Sequence, residues 1–321
     1  MKKLPLVLIY FLILSGCTKT PVDVQPQDDA YPIVFEDVRT KTLMTDFNLT
    51  AFRVWGETSP GAADVFDGAE VTGVDPDEYG RMDNWEYEGD KYWLPEKTYD
   101  FYAVAPLDIP VEYASGDYGF EYAMPDNIST DLEQDNGHID VIAAHHRRRT
   151  GAMTQNPPDV NLEFGHKLAR ISINLSKSAL NNSHTMKVKN IYLWGMKKSG
   201  TYRFASGWTT SDEAGAVSLT DIDLELPANA VPVTIGGIYA VPQALSADQV
   251  NLLVEYTYSH GTNTSSRILS AVLPVDVVSE WSEGNNYTYS AVLFVEQDIR
   301  FDTPVVEPWG TEQVGGTIII R

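Results

Sequence analysis

The sequence has little cysteine and few basic residues. Its 321 residues include one Cys, and 23 Lys and Arg stand against 45 Asp and Glu, giving a net charge of −22. A single Cys excludes an intrachain disulfide and a Cys-rich zinc site, so the fold must depend on buried apolar area. A surface this acidic repels the phosphate groups of nucleic acids and anionic lipids, so neither is an expected partner.

Sequence motifs for catalysis are also missing. The chain contains no G-x-S-x-G, no H-E-x-x-H, no phosphate-binding loop and no dinucleotide fingerprint. Carboxylates are plentiful, but pairing two of them into a glycosidase site needs a separation in space that a sequence does not give. We therefore predict a protein that is not an enzyme and that uses no cofactor.

Two patterns resemble metal sites in part. The acidic stretch from Asp75 to Glu86 has the spacing of a calcium loop, but Tyr79 occupies a position that needs an oxygen donor. We interpret it as a solvated acidic loop and predict no metal site there.

The second pattern is a run of histidines and arginines. His138, His145 and His146 precede Arg147–Arg149, next to a predicted loop that begins at Thr150. A transition-metal site needs ligands on rigid elements, so we interpret this run as a solvated basic loop. A metal site and a protease-sensitive loop are the alternatives.

Long hydrophobic runs are absent except near the start of the chain. Leu4–Leu14 follows two lysines and would span about 16 Å as a helix, too short for a bilayer core of roughly 30 Å. Such a run is typical of a signal peptide. The next residues, Leu14-Ser15-Gly16-Cys17, resemble a bacterial lipobox. We predict a signal peptide over residues 1–16 and lipidation of Cys17; the alternative is an ordinary signal peptide beside a buried Cys.

After the signal peptide, residues 17–30 are polar and contain two prolines, which predicts a flexible tether. Farther on, apolar and polar residues mostly alternate with a period of two, which indicates half-buried strands. The clearest stretches are Phe47–Trp55, Tyr99–Ala105, Leu168–Leu175, Lys187–Trp194, Val250–Tyr258 and Tyr287–Val295. The pattern predicts an all-β protein with two β-sandwiches, over residues 31–170 and 171–321.

Aromatic residues crowd the segment between Tyr79 and Tyr102. Exposed aromatic rings can stack on sugars, so Trp85 and Trp93 are candidate glycan contacts. Strands use aromatic residues for core packing far more often, and a core role is the alternative.

Five stretches together resemble the Bacteroidales fimbrillin family, the Mfa-like subunits of type V pili. They are Tyr102–Pro106, Leu162–Ile171, Ala240–Gln243, Trp281–Tyr289 and the ending from Ile299 to Trp309. The resemblance implies two tandem transthyretin-like β-sandwich domains and a lipoprotein precursor at the outer membrane. It also implies that a trypsin-like protease cuts after the first strand, and that the C-terminal strand of another subunit fills the groove that opens. The His-Arg run at 145–149 has no counterpart in this family pattern.

The resemblance places candidate sites at both ends of the chain. Tyr31–Val38 would be the removable strand, and Arg39, or failing that Lys41, the cleavage site; an ordinary turn arginine is the alternative for Arg39. Residues 311–321 would be the donor strand, whose apolar run is Thr317, Ile318, Ile319 and Ile320. Its alternative is a last strand of the chain's own sheet.

These features predict a structural subunit of a type V-like fimbria that supports cell adhesion. Its expected partners are other fimbrial subunits, the outer membrane through the lipid, a maturation protease and a ligand on a host or bacterial surface. The expected location is the cell surface, with the fimbria as the final site. The alternative is a surface lipoprotein, either a tip or anchor fimbrillin or a glycan-binding protein, that does not polymerise.

Overall fold

The computed structural model describes residues 31–40, 49–60, 63–78, 81–129, 139–151, 159–220, 222–246, 249–295 and 298–309. Cys17, Lys41 and the predicted donor strand 311–321 lie outside these residues, as do the predicted signal peptide and tether. The described chain is built almost entirely from strands, which confirms the predicted all-β class. Within it, no helix is long and apolar enough to cross a membrane.

The strands follow one another along the chain with short connections. They are β1 Phe35–Thr40, β2 Ala51–Ser59, β3 Ala63–Pro76, β4 Met82–Tyr87, β5 Thr98–Ala105, β6 Val111–Ala114, β7 Asp117–Ala123, β8 Asn127–Ser129, β9 Ile142–Arg149, β10 Val160–His166, β11 Ala169–Lys177, β12 Thr185–Lys197, β13 Ser199–Arg203, β14 Gly207–Thr210, β15 Ala214–Thr220, β16 Leu224–Glu225, β17 Val233–Ala240, β18 Gln243–Ala244, β19 Asn251–His260, β20 Asn263–Val272, β21 Glu280–Trp281, β22 Asn285–Leu293, β23 Ile299–Phe301 and β24 Val305–Pro308. A short 3-10 helix covers Ala179–Asn181.

The N-terminal part forms a seven-stranded sheet in the order β1-β10-β9-β5-β2-β3-β4. Its strands alternate as the sequence predicts: in β2, Phe52 and Val54 are fully buried while Ala51 and Arg53 are only half-buried. One face of this sheet encloses an aromatic core that includes Phe52, Phe66 and Phe101. Burial of this face is what fixes the strand register, because a slip of one residue would turn every core side chain towards solvent.

The C-terminal part forms a second core between two sheets. One has the order β17-β11-β22-β23, with β24 beside β22, and the other has the order β20-β19-β12-β15-β8. Side chains from β11 and β22 meet those from β12 and β19 in one buried cluster, which is the arrangement expected of a β-sandwich.

Strand pairing does not divide the chain at the predicted domain boundary between residues 170 and 171. β6 and β7 form a further, four-stranded sheet with β13 and β14, and β8 pairs with β15. Val111–Ser129 therefore pairs with strands beyond residue 171 although it precedes β9 and β10 in sequence. The periodicity of these short strands indicates which face is buried but carries no information on which distant strand they pair with.

The acidic stretch from Asp75 to Glu86 includes the end of β3 and most of β4, and residues 79–80 between them lie outside the described residues. The Asp77 backbone N–H donates to the Arg81 carbonyl at 2.8 Å, and the Arg81 N–H donates to an Asp77 carboxylate oxygen at 2.9 Å. Asn84 donates to Asp75 at 3.3 Å across the hairpin. These carboxylates accept hydrogen bonds from backbone and amide groups. The prediction of a loop over the whole stretch is wrong, because its two ends lie in β3 and β4.

The His-Arg run forms strand β9, and the prediction of a basic loop there is wrong. His145 stacks on Tyr102 with ring centroids 4.7 Å apart, and its imidazole lies 3.2 Å from the Asp100 carboxylate. Arg147 faces the same carboxylate at 3.7 Å. Pairing with β5 places His145 and Arg147 beside Asp100 and stacks His145 on Tyr102. These contacts explain why a strand tolerates this run.

Candidate functional site: the seam closed by residues 31–40

Residues 31–40, here called the seam segment, close the N-terminal sheet. β1 pairs with β10 at one edge of the sheet, and the residues just before β1 bond to the chain that follows β4 at the other edge. The Ile33 N–H donates to the Lys91 carbonyl at 2.8 Å, and the Trp93 N–H donates to the Tyr31 carbonyl at 2.9 Å. One segment thus satisfies backbone groups on both edges.

The seam segment also supplies two side chains to the core. Ile33 and Phe35 are each only 1% exposed. The centroid of the Phe35 ring lies 5.9 Å from that of Phe52, 5.6 Å from Phe66, 5.9 Å from Tyr87 and 6.1 Å from Phe101. Without the seam segment these rings would face solvent along an apolar groove, next to an unpaired edge of β10.

A tyrosine hydroxyl fastens the seam segment from the opposite edge. The Tyr87 hydroxyl donates to the Ile33 carbonyl at 2.7 Å. Burial raises the pKa of Tyr87 to about 12, so the phenol stays protonated at neutral pH and remains a donor. This bond ties the position of Ile33 to β4.

The pairing of β1 with β10 is parallel and irregular. Phe35 is opposite Val160 and Arg39 is opposite Glu163, but the register shifts between Glu36 and Arg39. Parallel pairs are slightly less stable per residue than antiparallel ones, and a bulge interrupts the ladder. The ladder between β1 and β10 is therefore interrupted between Glu36 and Arg39.

Two acids meet where β1 joins β10. Repulsion by the Asp159 carboxylate, with a hydrogen bond between the two side chains, raises the pKa of Glu36 above its ordinary value. The folded state therefore keeps a proton that the unfolded chain has already released. Stability from this pair is present at low pH and is lost as pH rises through the raised pKa of Glu36.

The free energy of unfolding of the wild type is expected to fall as pH rises above the ordinary pKa of a glutamate. Glu36→Gln should make this fall smaller. The effect should be small because Glu36 is exposed. Urea denaturation of both proteins at several pH values measures it. Glu86→Gln is the matched control, because Glu86 is an exposed acid of β4 that lies opposite Thr72 of β3. It should leave the slope of stability against pH as it is in the wild type. Equal slopes for wild type and Glu36→Gln would contradict the assignment.

Arg39 lies within β1, not in a loop after it, because the parallel pairing continues to Thr40. Its side chain is exposed, but its backbone belongs to the sheet edge. The first strand therefore ends at Thr40, not at Val38 as predicted, and cleavage at Arg39 stays a prediction. Lys41 directly follows the end of β1 and lies outside the described residues.

Trp85 and Trp93 do not offer surfaces to a glycan. Trp85 is 7% exposed and packs on Phe52 at 5.2 Å, and Trp93 is 3% exposed and packs edge-on against Tyr99 at 4.8 Å. The expectation of sugar contacts at these two residues is wrong, since Trp85 of β4 and Trp93 of the β4–β5 connection both fill the core.

A second buried cluster anchors the described C-terminal end. Trp309 stacks on His166 with centroids 4.0 Å apart and planes inclined by 6°, and it also stacks on Tyr239 at 5.1 Å. His166 Nδ1 is 2.7 Å from an Asp140 carboxylate oxygen; His166 is buried and Asp140 is half-buried. His166 and Trp309 belong to stretches that carry the family resemblance, but their pairing across 143 positions of sequence has no signal in a single sequence.

Comparisons with known proteins agree with this fold. A family model described as fimbrillin-like matches residues 40–309. No curated protein compared with the chain matches it in sequence. A fimbrial protein from Bacteroides vulgatus has a similar structure, with a TM-score of 0.60 at 15% identity over 87% of this chain and 99% of that one.

Two further crystal structures, both of candidate cell adhesion proteins, share the fold. The one from Bacteroides ovatus has a TM-score of 0.57 at 15% identity and covers 88% of this chain and 100% of its own. The one from Bacteroides uniformis has a TM-score of 0.54 at 14% identity, again over 88% and 100%. With the family match over most of the chain, the predicted resemblance is confirmed: the protein belongs to the fimbrillin-like family.

Proposed function

We propose that the protein is a structural subunit of a fimbria and that it polymerises by strand exchange after the seam segment is removed. The observation that carries this proposal is the seam segment itself, which supplies Ile33 and Phe35 to the core from a strand at the sheet edge. Its loss would leave an apolar groove and an unpaired backbone edge together. A strand from another subunit satisfies both needs at once.

In this proposal the precursor is a lipoprotein. Cys17 would carry the lipid that holds it at the outer membrane, and cleavage after Arg39 or Lys41 would release lipid and seam segment together. Lys41 fits a protease better because it follows the paired strand, whereas Arg39 must first detach from β10. Residues 311–321, with their Thr317–Ile320 run, would supply the incoming strand.

The role needs no catalysis. Subunits would be joined by backbone hydrogen bonds and buried side chains, and the partners would be other fimbrial subunits, the maturation protease and an adhesion target. The fimbrial and adhesion proteins that share this fold support a place at the cell surface.

Limited trypsin digestion tests the proposal. Cleavage after Lys41 or Arg39, read by intact mass, should be followed by multimers in native sizing. The Arg39→Ala/Lys41→Ala variant should stay uncut and monomeric. A chain lacking 311–321 should be cut but remain monomeric. Cut protein that stays monomeric with an intact C-terminus would contradict strand exchange.

N-terminal sequencing of protein extracted from cells separates the two cell-surface roles. A shaft subunit in purified fibres should begin after Arg39 or Lys41. A tip or anchor subunit that keeps its lipid should retain Cys17 and the seam segment.

A further inference from the structure

His184 and His260 lie side by side at one end of the sheet that contains β12 and β19. Thr185 of β12 is opposite Ser259 of β19 in the antiparallel ladder, so the preceding His184 is opposite His260. Their ring centroids are 5.0 Å apart, and the ring planes are inclined by 33°. Neither residue belongs to the seam segment or to the Trp309 cluster.

The distance between the rings matches two ligands on one ion. Metal–nitrogen bonds are about 2.0 Å long and the centre of an imidazole lies about 1.1 Å beyond its ligating nitrogen, so two rings on one ion have centroids about 4.4 to 5.1 Å apart for angles from about 90° to about 109°. The observed 5.0 Å falls within this range. The two rings are therefore close enough to share one ion.

Neighbouring groups fix the position of His184. Ser183 Oγ is 3.3 Å from His184 Nδ1, which leaves Nε2 as the nitrogen for an ion. The Lys177 ammonium donates to the His184 carbonyl at 2.7 Å and so holds its backbone. Contacts of this kind orient a ligand before the metal arrives.

We propose that His184 and His260 bind a late first-row divalent cation, with water completing its coordination. Imidazole nitrogen is a preferred ligand of Cu²⁺, Ni²⁺ and Zn²⁺, and a given site binds Cu²⁺ most tightly among them. No three His, Cys, Asp or Glu side chains converge on a possible ion position among the residues that the structure covers. The site therefore has two protein ligands and keeps open positions, unlike a closed structural zinc site. It is independent of the proposed polymerisation.

Titration with Cu²⁺ tests the site. The purified protein, produced without a histidine tag and stripped with chelator, should bind one Cu²⁺ per chain at this site by calorimetry. Its paramagnetic resonance spectrum should show coupling to two nitrogens. His184→Ala and His260→Ala should each weaken binding at least tenfold, whereas His145→Ala, the matched control on β9, should not.

Melting temperatures measured with chelator present separate loss of the site from loss of the fold. With chelator, all the variants should have the melting temperature of the wild type. Cu²⁺ should raise the melting temperature of only two proteins, the wild type and His145→Ala. If a histidine-to-alanine variant melts early, His184→Asn and His260→Asn replace it. Unchanged Cu²⁺ affinity in the His184 and His260 variants, or coupling to one nitrogen, overturns the proposal.

Discussion

Phe35→Ala is expected to destabilise the protein by about 3–5 kcal/mol, the range for removing a fully buried aromatic side chain. Phe35 is 1% exposed and its ring contacts rings from four other positions, of which Phe66 is nearest at 5.6 Å. Alanine would leave a cavity where β1 meets the sheet, and the surrounding rings can fill it only in part. The free energy of unfolding from guanidinium denaturation measures the loss.

Leu180→Ala is the control for this prediction. Leu180 is 85% exposed, so its truncation should change the free energy of unfolding by no more than about 0.5 kcal/mol. A loss below about 1 kcal/mol for Phe35→Ala would show that the core closes without the seam segment. Under the proposed function the same variant should also be cut faster by trypsin near Lys41, because a poorly seated β1 detaches more often.

Periodic stretches of the sequence predict strands, but not all of them, since β9 lies where a loop was expected. Tyr99–Ala105 and Lys187–Trp194 alternate over their length, and they fall within β5 and β12. Alternation reports burial of one face, which is a local property and is readable from neighbouring residues. The all-β class follows from it.

Pairings between distant strands could not be predicted. Nothing local to Val111–Ser129 indicates that its strands pair with β13 and β15. Nothing in the sequence of β9 shows that its His145 and Arg147 will lie beside Asp100. The same limit applies to Trp85 and Trp93, since aromatic residues in a strand have one sequence pattern whether their face is buried or exposed. The seam segment could be located by resemblance, but the contacts of Phe35 required the structure.

Trp309→Ala is expected to cost about 3–5 kcal/mol of unfolding free energy. Trp309 is 5% exposed and stacks on both His166 and Tyr239, and its backbone N–H donates to the Gly284 carbonyl at 2.8 Å. Removal of the indole would leave a cavity and open the His166–Asp140 pair to water. Guanidinium denaturation at neutral pH measures the loss.

Trp194→Ala is the matched control, because it makes the same substitution on an indole that is 56% exposed on β12. It should cost less than about 1 kcal/mol, since little apolar area is returned to water. Equal losses in the two variants would show that Trp309 does not anchor the chain. In sequence, Trp309 stands two residues before the proposed donor strand 311–321. If strand exchange operates, Trp309→Ala should lower the yield of multimers after trypsin cleavage even under conditions where the variant remains folded, and Trp194→Ala should not.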